Sequence, residues 1–576
     1  MPVSFPPEDV PNGELLSGLP LPDIRATMGT FYYFATDLSR YEEGNTEFGG
    51  ILKRLTFEGT TAKTQLVGPP NPMIRAKIQA IRHTAATLSD ADRTAIGELE
   101  AKQDVSLPLT INWTRGSNQA EIDLDGQKLR LKTGEWSKWL YLKFDVNMLI
   151  RVQGMVQLLL MNAGNELQLY VSPVNFKPDA PPTPISYPAD FAGKIFKKIG
   201  PYRTLGWAEA TWPLNEGRMD EATFMDDLYK AFDDRAQVIL NRLTEGNWDV
   251  LVGVIESTDR VQHMMWRLMD KESPLYDAKL AEKYGDAILR VYRRADNFVA
   301  EVLEHIEPGT EVMIVSDHGF HSWRKSVNVN TWLVEQGYMV LKGQGESSEK
   351  KLDDLFGAGS FWENVDWTRT RAYAMGLGQV YFNLRGRESQ GIVSPGAEYK
   401  QLSDELSKAL VEKLIDPETK QPIVRGVYKR DDVYSGDYLG NSADLQMGFQ
   451  DGYRVSWQTT LGGTPKGIVY NNDKKWSGDH GGFDYATTAG VLITKTMVVV
   501  GDPQVTTKNG QRGASLRAYD KQTGAQLGEV RVPAPILGMP MTYSVNGVQY
   551  IVVGVSGGNY TGEYIAFRLP ESEIKK

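Results

Sequence analysis

Histidine is scarce in this 576-residue chain, and cysteine is absent. The six histidines are His83, His263, His305, His318, His321 and His480. Three of them stand in patterns that suit cation binding. Asp259 and His263 are four positions apart, so on a helix both project from one face and can reach one ion. Asp317 and His318 are adjacent at the end of an apolar run, where open α/β sheets bind ligands. Asp479 and His480 precede Gly481 and Gly482, whose missing Cβ atoms let the backbone come close to a ligand. Asp259, His263, His480, Asp317 and His318 therefore offer two carboxylates and three imidazoles, with Asp479 and His321 as neighbours able to orient them. A nitrogen and oxygen ligand set without sulfur suits Zn²⁺ or Mn²⁺. A lone Asp-x-x-x-His is common by chance; the case rests on three such motifs in loops of the same kind. His83 and His305 have no such surroundings and are expected at the surface or in ordinary packing.

The elements that must position these groups are legible in outline. Residues 1–75 are rich in loop punctuators such as Pro6–Pro7 and Gly49–Gly50. Residues 76–103 suit helix. From 105 to 175, apolar and polar residues alternate between Gly and Asn turns, which predicts an antiparallel β insertion. Residues 220–245 repeat Phe224, Leu228, Phe232, Val238, Ile239 and Leu243 at helical spacing. A second helix is predicted over 277–306. The continuous apolar runs WDVLVGVIE (248–256) and EVMIVSD (311–317) are expected as buried parallel strands, each ending just before a metal-binding motif. Strand, helix and strand in that order predict a parallel sheet flanked by helices. Beyond about 496 the pattern changes to short strands and tight turns without helices.

Composition narrows the function. Hydrophobic residues make up 41% and charged residues 24%, the balance of a globular protein. The length corresponds to roughly three or four domains. A net charge of −10 lacks the basic footprint of a nucleic-acid binder. No apolar run is long enough to predict a membrane span. No signal peptide is visible at the N-terminus, which predicts a cytoplasmic chain unless a leader was lost. Without cysteine there is no disulfide framework and no thiol nucleophile.

Five segments carry a more specific likeness: VSFPPEDVPNGELLSGLPLPDIRATMGTFYYFATD (3–37), VIESTDRVQHMMWRLMD (254–270), VSDHGF (315–320), NVNTWLVEQGY (328–338), and YRVSWQTTLGG followed by NDKKWSGDHGG (453–482). Over about residues 2–494 the chain resembles the type I phosphodiesterase/nucleotide pyrophosphatase branch of the alkaline phosphatase superfamily. That resemblance implies an α/β fold with an alkaline-phosphatase-like parallel sheet and two divalent metal ions, Zn²⁺ or Mn²⁺. It implies that Asp259, His263 and His480 hold one ion and that Asp317 and His318 supply part of a second site. The substrate would be a small phosphoester, hydrolysed by in-line displacement between the metals.

The resemblance also implies departures. In the family a strand ending in an Asp ligand, then a Thr or Ser nucleophile at a helix start, precede the VSFPP segment. Neither has a counterpart in this sequence, and Thr27, Thr30, Thr36, Thr60 and Thr61 do not follow a buried strand and an Asp in that order. A truncated core, one well-formed metal site and impaired hydrolysis are the expectation. Residues from about 495 resemble instead the end of a dehydrogenase propeller that uses pyrroloquinoline quinone, LRAYDKQTGAQLGE having the strand–turn–strand pattern of a blade. A fusion is therefore expected, divided as 1–104, 105–175, 176–494 and 495–576. The quinone is not expected to bind, because no blade repeats occur in residues 1–490. Rival expectations are a non-catalytic metal- or phosphate-binding remnant, a quinoprotein oxidoreductase, and a recombined reading frame that folds poorly. The oligomeric state is left open.

Overall fold

The computed structural model describes residues 5–568 apart from 40–42, 47–48, 85–88, 148–149, 246, 311, 313, 315, 344–361, 363, 435, 483, 485–490, 494–496, 503–504, 509, 521, 537–539, 546–547 and 558–559. Two compact units emerge, one of residues 1–261 and 289–305, the other of residues 262–288 and 306–576.

The first unit is built on β-structure with helices added. A four-stranded antiparallel meander runs Thr61–Pro70, Asp104–Trp113, Gln119–Leu124 and Gln127–Lys132. A six-stranded sheet has Tyr32–Ala35 and Leu167–Val171 at its centre. Alternation explains the burial: in Gln119–Leu124 the residues Ala120, Ile122 and Leu124 face the core and Gln119 and Glu121 face water. One hydrophobic cluster, from Leu21 through Trp113 to Phe176, joins these sheets. The sheet pattern thus begins at residue 61, ahead of the alternation noticed at 105, because Thr61–Pro70 pairs along most of Asp104–Trp113.

The predicted long helix is present as Glu221–Glu245 and buries Phe224, Leu228, Phe232 and Leu243. The second appears as two helices, Ala278–Tyr284 and Ala287–His305, with Gly285 closing the first. The two expected parallel strands differ from expectation. Residues 248–256 join no strand, and Val250 and Val252 are 80% and 65% exposed. In 311–317 the described residues join no strand either, and Ile314 is 58% exposed. A continuous apolar run becomes a buried strand only when neighbours complete its hydrogen bonds on both sides. Among the described strands, parallel pairing is confined to Tyr32–Ala35 with Ile51–Arg54 and to His321–Val327 with Gly452–Val455.

In the second unit, His321–Val327 is the central strand of a small mixed sheet with Gly452–Val455, Val469–Asn471 and Gly478–Asp479. An antiparallel sheet of Ala372–Met375, Gln379–Phe382, Leu445–Phe449 and Val424–Lys429 accompanies the helix Ala397–Lys413. The C-terminal region is all antiparallel: five strands from Val491–Ile493 to Gln526–Val532, then three from Met541–Val545 to Tyr560–Arg568. The protein is thus mixed α/β, with several sheets and a β-rich C-terminal region. Among the described residues no helix is long and apolar enough to cross a membrane.

Candidate metal centre

The short helix Ser257–Met265 carries Asp259 in its first turn and His263 in its last, one helical turn apart. The division between the two units falls inside this continuous helix, after Val261. His263 is buried, and its Nδ1 lies 2.7 Å from the Gly478 carbonyl oxygen. A carbonyl only accepts, so Nδ1 carries a proton, and in the neutral ring Nε2 is the nitrogen that offers a lone pair. The His263 ring is 3.8 Å from that of Trp476 and 5.2 Å from that of His480.

His318 follows the second apolar run and points Nδ1 at the Gly319 carbonyl, 3.1 Å away, so Nε2 is the nitrogen able to offer a lone pair in the neutral ring. Its ring stacks on that of His480, with centroids 3.6 Å apart and planes 11° from parallel. Phe320 lies within 4.8–5.6 Å of all three imidazoles and supplies an apolar wall. Asp259, His318 and His480 each offer one ligand atom, and these atoms lie within 4.8 Å of one another. Nitrogen and oxygen donors, each half-buried, are the ligand types that suit Zn²⁺.

The other residues singled out in the sequence have these positions. Asp317 stands outside it, with a side chain 54% exposed and Oδ2 3.5 Å from His318 Nε2. His321 pairs with Asp451 at 2.7 Å. Asp479 is buried and orients its neighbours: Oδ1 accepts the backbone N–H groups of His480 and Gly481 at 2.7 and 2.9 Å. Oδ2 accepts the Trp476 indole N–H at 2.9 Å and lies 2.8 Å from Arg454 Nε. Burial alone would raise the Asp479 carboxyl, but Arg454, the two imidazoles and the Gly481 N–H outweigh it and hold the group below the ordinary carboxylate range. His305 sits on an exposed helix end against the Glu301 carbonyl, and the His83 side chain lies outside the described residues.

Sequence reasoning passed over Arg454, Trp476 and Phe320. All three lie inside the quoted motif segments, but nothing in their spacing relates them to the histidines. Thr27 and Thr30, considered above as hydroxyl nucleophiles, are engaged in the loop of Asp23, which accepts from Thr27 Oγ1 at 2.8 Å and from Thr30 N–H at 2.6 Å.

Residues 173–483, more than half of the chain, match the model of the type I phosphodiesterase / nucleotide pyrophosphatase family. Residues 450–551 match the β-propeller domain of glucose/ethanol/alcohol dehydrogenases. Quinoprotein glucose dehydrogenase of Escherichia coli (strain K12) is 44% identical over 61 residues, which cover 10% of this chain and 8% of that protein. Quinoprotein glucose dehydrogenase A of Acinetobacter calcoaceticus is 40% identical over 63 residues, with the same two shares. The chain thus spans 8% of the length of these curated relatives. No solved structure gives a significant match.

Proposed function

Because the chain belongs to the type I phosphodiesterase / nucleotide pyrophosphatase family, we propose that it is a phosphoester hydrolase by descent that retains a divalent metal centre. The observation that supports this most is the convergence of Asp259, His318 and His480, with His263 beside them, from motifs spread over more than two hundred positions. A bound Zn²⁺ or Mn²⁺ would supply Lewis-acid polarisation of a phosphoryl oxygen and a more acidic water. The chain's own part is to bind and orient. Asp259 contributes negative charge, His263 and His318 present Nε2 because their Nδ1 protons go to carbonyls, and Asp479 fixes the backbone of His480. In the two-site arrangement implied by the resemblance, Asp259, His263 and His480 hold one ion, and Asp317 and His318 begin the second. The substrate is a small phosphoester. The same reading takes 1–104, 105–175 and 176–494 as parts of one alkaline-phosphatase-like fold and 495–576 as a propeller-blade fragment.

Turnover by these 576 residues alone is weak in this proposal, because the Thr or Ser nucleophile that the resemblance implies has no counterpart in this sequence. Equilibrium dialysis against Zn²⁺ and Mn²⁺, paired with hydrolysis of an aryl phosphodiester, tests both parts. About one tightly held ion per chain, lost in Asp259→Ala and His480→Ala, is expected, with turnover near background. No bound ion would overturn the metal centre. Robust turnover abolished by His480→Ala would overturn the claim of impaired chemistry. A purely binding role is the second reading, favoured by the same missing counterpart of the nucleophile; inorganic phosphate raising Tm only in the metal-loaded protein, without turnover, would support it. A propeller typically needs 4–8 blades, so the short likeness to quinoproteins carries no proposal of quinone-dependent oxidation.

A further inference from the structure

Arg454 is among the largest fully buried side chains of the chain, with 2% of its side chain exposed. Burying a guanidinium costs several kcal/mol unless its charge and hydrogen-bonding groups are met. Here it packs against the rings of Trp323 and Trp457, with its central carbon 4.2 and 4.4 Å from their centroids, the two rings meeting edge to face at 5.9 Å. Nη1 donates to the Val455 carbonyl at 3.0 Å, and Nε faces Asp479 Oδ2 at 2.8 Å. The position of Trp457 is itself set locally. Ser456 caps the helix Trp457–Leu461 by accepting the Thr459 N–H, and Gly462 ends it at φ 84°.

Asp479 is the hub of this arrangement. Two backbone N–H groups and the indole N–H donate to its oxygens, and the Arg454 guanidinium lies against Oδ2 as an ion pair. Through the His480 and Gly481 N–H groups it holds one imidazole's backbone. Through the Trp476 indole it holds the ring that packs 3.8 Å from His263. One carboxylate therefore ties both imidazoles to the same point, and Arg454 is the charge that keeps it there.

We propose that Arg454 is a positioning residue: packed in the corner of Trp323 and Trp457, it holds Asp479 by its charge and thereby sets the placement of His263 and His480 for metal binding. The inference rests on the metal-centre reading above. A buried pair serving core stability alone would predict something different, and the double variant Arg454→Met/Asp479→Asn separates the two. It removes both charges together, so neither partner is left as an uncompensated buried charge. The amide that replaces the carboxylate cannot satisfy the arrangement, since its NH₂ would then meet an indole N–H or a backbone N–H.

The test is Zn²⁺ affinity by competition with a chromophoric chelator, the visible absorption of the Co²⁺-loaded protein, and Tm without metal. The expected result is a folded double variant with affinity weakened about 10- to 100-fold, the range typical when partners behind the ligands are removed, and an altered Co²⁺ spectrum. Arg454→Lys keeps the charge without the planar fork, so it should bind more weakly than the parent and more tightly than the double variant. Lower Tm with unchanged affinity and spectrum in either variant would overturn the positioning role. If the double variant does not fold, unchanged affinity in Arg454→Lys alone overturns it. Absence of metal binding by the unmutated protein would instead overturn the metal-centre reading.

Discussion

Asp416 shows how one buried carboxylate makes stability depend on pH. It accepts from Lys325 Nζ at 2.8 Å, Tyr453 OH at 2.6 Å and the Glu418 N–H at 2.8 Å. Burial pushes the carboxyl up, but these donors outweigh it and hold the group well below the usual carboxylate range. A depressed folded pKa means the stabilisation is fully present above the unfolded value of about 3.9 and is lost as pH falls through the folded value. Asp416→Asn should therefore cost about 1.5–3 kcal/mol at neutral pH, the range for hydrogen bonds to charged groups. It should also flatten the decline of Tm below pH 4. Thermal melts across pH 2–7 check this; an unchanged acid slope would refute it. Legibility at this scale was partial. Asp259, His318 and His480 stood out because few side-chain types bind metals and each lay in a glycine- or carboxylate-flanked motif. Arg454 did not, since a buried guanidinium and a solvated one have the same appearance in sequence.

Between elements, the contact that brings His263 to His480 is a helix lying directly on a strand. A Cβ added at Gly478 would stand 2.4 Å from the Gln262 carbonyl oxygen and 2.9 Å from Trp266 Cβ. The Gly478 carbonyl also accepts from His263, and the Ser477 N–H donates to the His263 carbonyl at 2.7 Å. Gly478→Ala must push helix and strand apart, at about 1–3 kcal/mol for overpacking. The urea midpoint should fall and Zn²⁺ affinity should fall with it. A lower midpoint with unchanged affinity would show that this contact does not hold the centre together. Helices were the most legible elements. The apolar spacing of 220–245 returned as Glu221–Glu245, because a helix closes its own hydrogen bonds. The run at 248–256 and the described residues of 311–317 did not return as strands, because a strand's hydrogen bonds belong to its neighbours.

At the scale of the whole molecule, the C-terminal β region carries its own apolar cluster of Val499, Ala514, Leu516, Val532, Ala534, Ile536, Val553 and Val555. None of these residues belongs to the Asp/His group. Leu516→Ala should lower stability by about 2–5 kcal/mol through lost burial and a residual cavity. Metal affinity should stay at the parent value, as for sites that share no partners. Calorimetry and chelator competition on the same sample check both halves; a joint fall would mean that the tail supports the centre. The sequence by itself determined which residue types are available for chemistry, the family of the central segment and the quinoprotein likeness of the tail, because these reside in side-chain identity and linear order. Only the tertiary structure decided that Asp259, His318 and His480 approach one another, that Asp317 lies against His318 and His321 against Asp451, and that Arg454 is buried beside Asp479. Those outcomes depend on long-range packing and on which donors reach which acceptors, and linear spacing does not encode either.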